Sequence, residues 1–172
     1  MAQGKYEREL KSILSGDEEI IEKTTKTCSE DQKEDYQRVM NIPFLVVRGA
    51  GSLGVDLVAV RGDVSFLIEV KSSKEDILYL SDQKRLKEQA EEIEKICTDT
   101  KLLPIYAYRL KRYRGDKWRL FTMDIEGLSK KYRVLNKKLP NVKTTSHGNY
   151  KLPWEEGMPL SEFLGYLARL LG

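Results

Sequence analysis

Two apolar runs near the middle of the chain predict a β-hairpin. The first covers residues 55–60 and the second covers 64–71, and both are rich in valine, leucine and isoleucine. The Gly-Asp pair at 62–63 is typical of a two-residue loop between antiparallel strands. With that loop, Asp56 lies directly opposite Glu69 on the neighbouring strand.

Apolar spacing along the rest of the chain predicts further helices and strands. The predicted helices are 4–14, 17–27, 31–40, 81–97 and a last one that Pro159 opens, and the predicted strands are 45–47, 104–110 and 117–123. Segment 15–43 is interpreted as a polar helical insertion. Segment 155–172 carries a C-terminal amphipathic helix whose apolar stripe faces the core or a dimer partner. This order favours one α/β domain over 1–172, with a mixed central sheet flanked by helices.

The predicted hairpin has a chemical peculiarity. Side chains alternate along a strand, so Asp56, Glu69 and Lys71 share one face. Opposed carboxylates destabilise a strand pair unless a cation neutralises them. With an ammonium group they can bind a metal, position a water and stabilise a developing phosphorane. The solvated face of any half-buried hairpin would show the same alternation, but Val58 and Leu67 are apolar here and indicate a covered face.

A glycine-rich segment precedes this hairpin. Residues 48–54, Arg-Gly-Ala-Gly-Ser-Leu-Gly, contain the spacing G-x-G-x-x-G, and Glu69 follows twenty residues after the first glycine. A dinucleotide fingerprint needs a helix after the glycines, whereas a β run follows here. We therefore interpret the segment as a flexible loop that approaches a phosphate chain, with Arg48 and Ser52 as donors to phosphate oxygens.

Composition narrows the class of protein. The chain has 172 residues, of which 40% are hydrophobic and 33% charged, as is usual for a globular domain. No apolar run is long enough for a membrane span or a signal peptide, which predicts a cytoplasmic protein without membrane partners. Cys28 and Cys97 are isolated, and the single histidine, His147, lies in a polar loop. The sequence therefore has neither the clustered Cys and His ligands of a zinc site nor the paired serine and histidine of a Ser-His hydrolase.

The net charge of +3 hides a basic segment. Residues 101–151 contain 14 Lys and Arg against 3 Asp and Glu, interleaved with aromatic residues. Such a run is often only a solvated face. It also suits a phosphate backbone, with the aromatic rings either stacking on bases or packing in the core. Lys111, Arg112 and Arg114 are the candidates for DNA contact in this segment.

Several blocks together resemble the archaeal Holliday junction resolvases, which are PD-(D/E)XK nucleases with a restriction-endonuclease-like fold. The blocks are Tyr-Glu-Arg-Glu-Leu at 6–10, Val-Arg-Gly-Ala-Gly-Ser at 47–52, Val-Asp-Leu at 55–57, Ile-Glu-Val-Lys-Ser at 68–72, Leu-Tyr-Leu-Ser at 78–81 and Trp-Arg-Leu-Phe at 118–121. The agreement covers roughly residues 3–14 and 44–125. The chain departs from the family pattern in having Val55 where proline is common, and in its longer segment 15–43.

The resemblance implies roles for individual residues. Asp56 and Glu69 would be the direct ligands of Mg²⁺, with Mn²⁺ able to substitute, and Glu7 would be a helix carboxylate that reaches the same metal. Lys71 would orient or activate the attacking water, or stabilise the transition state. The implied DNA contacts are Arg8, Arg48, Gly51, Ser52 and Gln83, or Gln89 in place of Gln83 if the helix carries a short insertion; Ser52 would also support cleavage.

Glu7 has a second interpretation that does not need a metal. It lies on the stripe of Leu10 and Leu14 and therefore points inward, but an acid in a first turn can also simply complement the helix dipole.

The predicted function is a Mg²⁺-dependent endonuclease that resolves four-way DNA junctions as a homodimer, in a prokaryotic nucleoid. Two opposed incisions suit the two sites of a two-fold dimer. One alternative is another PD-(D/E)XK nuclease of repair or restriction, which cleaves plain duplex as well as junctions. A second alternative is a non-catalytic DNA-binding paralogue, although such a module has little reason to hold clustered acids near phosphates. Other protein partners are left open.

Overall fold

The computed structural model describes residues 2–49, 54–80 and 84–171, and these contain six α-helices. In chain order the helices are α1 (Ala2–Leu14), α2 (Glu18–Thr24), α3 (Glu30–Gln37), α4 (Lys84–Thr100), α5 (Lys130–Lys138) and α6 (Leu160–Leu171). Ser29 caps the start of α3 with a capping box. The Ser29 hydroxyl accepts from the backbone N–H of Gln32, and the Gln32 side-chain oxygen accepts from the backbone N–H of Ser29. A polar cap therefore fixes the start of this hydrophilic helix.

The strands of the described residues form two sheets. They are β1 (Leu45–Arg48), β2 (Leu57–Val60), β3 (Ser65–Ser73), β4 (Ile77–Tyr79), β5 (Leu103–Leu110), β6 (Trp118–Phe121), β7 (Lys143–Thr144), β8 (Tyr150–Pro153) and β9 (Met158–Pro159). The main sheet has the order β1-β2-β3-β5-β6-β9, and β4-β8-β7 form a small second sheet. Strands β3 and β5 are parallel and α4 connects them, whereas the other neighbouring pairs are antiparallel. The prediction of an α/β fold with a mixed central sheet is confirmed.

The hairpin has the predicted register. Leu57 pairs with Ile68, and Val60 pairs with Ser65. Asp56 directly precedes β2, and the charge of Glu69 acts on its carboxylate, so the two acids are neighbours as the register predicts.

The core lies on both faces of the main sheet. Helices α1 and α6 pack on one face, where Leu10 and Phe163 meet Phe66 and Ile105. Helix α4 covers the other face through buried Ile93 and other residues at helical spacing. The apolar stripe of α6 is therefore core rather than a dimer surface.

The polar insertion is integrated into the fold. Tyr36 of α3 is fully buried, and its hydroxyl donates to Oδ1 of buried Asp116 at 2.6 Å. The other oxygen of Asp116 accepts from the N–H of Ser161, at the start of α6, at 2.9 Å. Asp116 thus joins α3, the start of β6 and the start of α6, although the sequence pattern placed it only between two predicted strands.

Some predicted boundaries differ from the observed ones. Helix α4 continues to Thr100, three residues beyond the predicted end, and its predicted start at Ser81 lies outside the described residues. The last α-helix begins only at Leu160. Before it, Trp154–Glu156 form a 3₁₀ turn and Met158–Pro159 form strand β9. Helix α5 and the small sheet were not predicted.

Candidate active site

Asp56 lies immediately before β2, and its backbone and side chain are both held. Its carbonyl accepts from the N–H of Gly49 at 2.8 Å, and its Oδ2 accepts from the N–H of Val70 on β3 at 2.7 Å. Burial raises the pKa of Asp56, and the neighbouring charge of Glu69 raises it further, while hydrogen bonds from Glu7 and Val70 act in the opposite direction. Asp56 is thus a fixed carboxylate whose negative charge is poorly stabilised by the protein alone.

Glu69 and Lys71 lie two residues apart on β3 and share a face. Glu69 is 3% exposed, and its Oε2 lies 3.1 Å from Nζ of Lys71. Its Oε1 is buried and accepts no hydrogen bond from the described part of the chain. A buried carboxylate oxygen without a donor costs free energy and is a candidate ligand for a cation.

Glu7 approaches the same acids from α1. It is buried, as its place on the apolar stripe predicts, and its Oε2 accepts from Nη2 of Arg48 at 2.8 Å. Burial raises the pKa of Glu7, a hydrogen bond with Asp56 raises it further, and Arg48 lowers it. Glu7 therefore connects the end of β1 to Asp56.

The three carboxylates are close enough to interact, since both Glu7 and Glu69 shift the pKa of Asp56. Across 2–49, 54–80 and 84–171, no three Asp, Glu, His or Cys side chains are grouped so that they could hold a metal ion. Arg48 pairs with Glu7, and Lys71 pairs with one oxygen of Glu69. That Glu7, Asp56 and Glu69 together hold a metal stays a prediction.

The donor set nevertheless fits a divalent cation. Asp56 and Glu69 supply hard oxygen ligands of the kind that Mg²⁺ prefers. Oε1 of Glu69 has no donor among the described residues, and the pKa of Asp56 is raised, so each acid has room for a further cationic partner.

The loop and helix around these acids are only partly described. Predicted residues Gly51, Ser52 and Gln83 lie outside the described residues. Gln89, the alternative to Gln83, donates from Nε2 to the carbonyl of Gly54 at 3.4 Å. This contact connects α4 to the end of the glycine-rich segment.

The predicted DNA-contacting cations do not form one cluster. Arg8 is exposed on α1 beside Glu7, and Nζ of Lys111 lies 5.9 Å from the ring centre of Tyr6. Arg112 and Arg114 are exposed in the loop between β5 and β6. Lys111 is therefore near the acids through its neighbour Tyr6, while the two arginines extend the basic surface along the loop.

Most aromatic residues of the basic segment serve the core. Tyr106, Tyr108, Trp118 and Phe121 are buried, so they cannot stack on bases. Tyr113 is 37% exposed, and its ring centre lies 4.6 Å from that of Trp154. Of the two interpretations left open for these rings, core packing applies to the four buried ones.

Sequence reasoning missed one polar network beside the site. Glu9 accepts from Nε of Arg109 at 2.8 Å and from Nε1 of Trp118 at 2.9 Å. Its partners are 100 and 109 residues away along the chain. The sequence offered one hint of this network, because Glu9 directly follows the candidate site residues Glu7 and Arg8.

A mixed sheet with an Asp…Glu-x-Lys set on one hairpin defines the class as a restriction-endonuclease-like nuclease. The family model described as archaeal Holliday junction resolvase (Hjc) matches residues 32–170. The chain belongs to this family. The match leaves out α1, and therefore Glu7 and Arg8. It extends past residue 125, where the resemblance seen in the sequence ends, and includes α5 and nearly all of α6.

The solved structures that this chain resembles include a resolvase. It is Hjc from the archaeal hyperthermophile Archaeoglobus fulgidus, a Holliday junction resolvase, with 26% sequence identity and a TM-score of 0.46. The match covers 71% of this chain and 82% of the other. No curated protein matches the chain. No helix within the described ranges is long and apolar enough to cross a membrane.

Proposed function

We propose that this protein is a Mg²⁺-dependent endonuclease that cleaves four-way DNA junctions as a homodimer. Membership of the resolvase family supports the substrate class. The observation that carries the chemistry is the pair of neighbouring acids on the hairpin. The charge of Glu69 raises the pKa of Asp56, and Glu69 Oε1 lies buried without a donor among the described residues.

Asp56 and Glu69 are the residues that would hold the metal. When bound, Mg²⁺ would stabilise negative charge on the reacting phosphate and favour ionisation of a water. Glu7 shares a hydrogen bond with Asp56 and would help to keep that carboxylate oriented. Without a bound cation, the negative charges of these acids would repel a phosphate from the site.

Lys71 is the residue that acts on the attacking water. Its ammonium lies 3.1 Å from Glu69 Oε2 and its side chain is 15% exposed, so it is held at the edge of the site. From this position it can orient a water against phosphorus or stabilise charge on the phosphoryl oxygens as the P–O bond breaks.

Arg48 has two anionic partners in this proposal. In the free protein it is paired with Glu7 at 2.8 Å, and its side chain remains 39% exposed. A scissile phosphate would compete for its guanidinium, since Arg binds phosphate in the same bidentate manner as carboxylate. DNA binding would then free the Glu7 carboxylate, which already shares a hydrogen bond with Asp56, to join the metal ligands.

An exposed apolar surface supports the dimer. Leu45 is 69% exposed and Val47 47%, and Leu45 is paired across the strands with Val60, which is 40% exposed. These three residues lie on one face at the edge of the main sheet, where a second copy would remove them from water. Two copies related by a two-fold axis supply two opposed cleavage sites.

The experiment is a cleavage assay on a labelled four-way junction and on a duplex of the same sequence. Cleavage of the junction alone, in Mg²⁺ or Mn²⁺ and not in EDTA, is the expected result. Equal cleavage of the duplex would instead indicate a repair or restriction-type nuclease. Binding without cleavage under every metal condition would indicate a non-catalytic DNA-binding paralogue.

A further inference from the structure

A basic cleft lies between α1, α2 and the adjoining ends of β5 and β6. Its volume is about 350 Å³. Six of its lining residues matter for the argument, and they are Lys5, Arg8, Glu9, Lys23, Arg109 and Lys117. Among the described residues that line it, five carry positive charge and one carries negative charge.

The single acid of the cleft is already neutralised. Glu9 pairs with Arg109, at 2.8 Å from Nε, and also accepts from the indole N–H of Trp118. The remaining four cations, at positions 5, 8, 23 and 117, form no ion pair within the described part of the chain. Like charges that share a cleft repel one another, so an anion that bridges them would stabilise the arrangement.

Helix α2 separates its charges between two sides. Lys23 lines the basic cleft, together with Ile20 and Thr24. The acids Glu18 and Glu22 line a different cavity, between α2 and α3. The insertion therefore presents a cation to the cleft and directs these two acids elsewhere.

The cleft is connected to the candidate active site through Tyr6. The guanidinium of Arg109 lies 4.3 Å from the Tyr6 ring centre, and the ammonium groups of Lys5 and Lys111 lie 5.6 and 5.9 Å from it. The N–H of Lys111 donates to the carbonyl of Ser73, at the end of β3. Positive charge thus continues from the end of the catalytic strand into the cleft.

We propose that this cleft binds the phosphate backbone of one duplex arm of the junction. This inference rests on the proposed function, and it assigns a role to insertion helix α2. Phosphate contacts position DNA without reading its sequence, which suits an enzyme that recognises branching. Three of the four unpaired cations precede residue 32, where the family match begins, so the match itself does not imply this surface.

The test compares two double variants that each lose two positive charges. Lys23→Gln with Lys117→Gln removes cations from the cleft. Lys130→Gln with Lys137→Gln is the control, because both lysines are exposed on α5, away from the cleft. Junction affinity is measured for both variants and for the wild type by fluorescence anisotropy between 50 and 300 mM salt, in Ca²⁺ or EDTA so that binding is read without cleavage.

We expect the cleft variant to bind the junction more weakly and with a shallower salt dependence. Each lost phosphate contact should lower the slope of log affinity against log salt by about 0.9, and near 0.1 M salt it should weaken binding by roughly 5- to 10-fold. The control variant should keep the wild-type slope. Thermal unfolding and circular dichroism establish that both variants are folded.

The inference and the proposed function fail in different ways. If the cleft variant keeps the wild-type slope and affinity while the wild type cleaves junctions, the cleft does not contact DNA. The same conclusion follows if the control loses as much as the cleft variant. If the wild type binds junctions but cleaves none in Mg²⁺, the proposed catalytic function is wrong, whatever the salt slopes show.

Discussion

The carboxylate of Asp56 accepts a hydrogen bond of 2.7 Å from the main-chain N–H of Val70, the residue between Glu69 and Lys71. One strand of the hairpin therefore positions its acid against the backbone of the other strand. An asparagine at position 56 can keep this acceptor and lose only the charge, so the substitution separates geometry from electrostatics.

Asp56→Asn should raise the thermal stability of the metal-free protein at neutral pH. Because the folded pKa of Asp56 is raised, the folded state holds this proton more tightly than the unfolded state does. The free energy of unfolding then falls as pH rises from the ordinary value of about 3.8 through the folded pKa. Differential scanning fluorimetry in EDTA should show a higher midpoint for the variant at pH 7 and little difference at pH 3.

Added metal should stabilise the wild type more than Asp56→Asn, the reverse of their order without metal. Added Mg²⁺ should raise the melting temperature of the wild type more than that of Asp56→Asn, because binding to the folded state alone is stabilising. Equal shifts in the two proteins would show that Asp56 does not hold the metal.

Lys71→Ala should slow the chemical step by roughly 10²-fold or more, within the range for acid–base and electrostatic groups. Single-turnover cleavage at saturating protein and Mg²⁺ measures this step. Lys95→Ala is a suitable control, since Lys95 is exposed and its ion pair within the described residues is with Asp99 on its own helix. A near-normal rate for Lys71→Ala would show that this lysine takes no part in the chemical step.

Arg48→Ala and Ser52→Ala should slow incision more than they weaken junction binding. Other cations still contact phosphates in these variants, whereas the scissile phosphate loses a donor. The measurements are the single-turnover rate at saturating protein and the dissociation constant, determined separately for each variant. A variant that binds several-fold more weakly and cleaves at the wild-type rate once saturated would show that the residue only contributes affinity.

Leu45→Lys together with Val60→Lys should shift the protein from dimer to monomer. Two lysines on the exposed apolar face would place like charges against each other across a two-fold interface. Light scattering after size-exclusion chromatography reads the mass directly. A variant that stays dimeric would show that the interface lies elsewhere. If the wild type binds the junction as a monomer, the proposed homodimer is wrong.

The parts that the sequence predicted well are those set by local rules. The register of β2 and β3 follows from a two-residue loop and from alternation, so the facing of Asp56 and Glu69 could be derived before any coordinates were known. The inward position of Glu7 follows in the same way from helical spacing.

The parts that it missed depend on contacts between distant residues. Tyr36 and Asp116 are 80 positions apart, and Glu9 and Trp118 are 109 apart. No periodicity encodes such a pair, so the burial of Asp116 and the integration of the insertion could not be predicted. The ion pair of Arg48 with Glu7 is of the same kind, since the two residues lie 41 positions apart.

The most direct test of the account is single-turnover incubation of a labelled four-way junction and its matching duplex with the wild type and Asp56→Asn, in Mg²⁺ and in EDTA. The account predicts paired incisions in the junction by the wild type in Mg²⁺, no incision by Asp56→Asn, and junction binding by the variant at least as tight as that of the wild type. Incision by Asp56→Asn at a comparable rate, or by the wild type in EDTA, would contradict it.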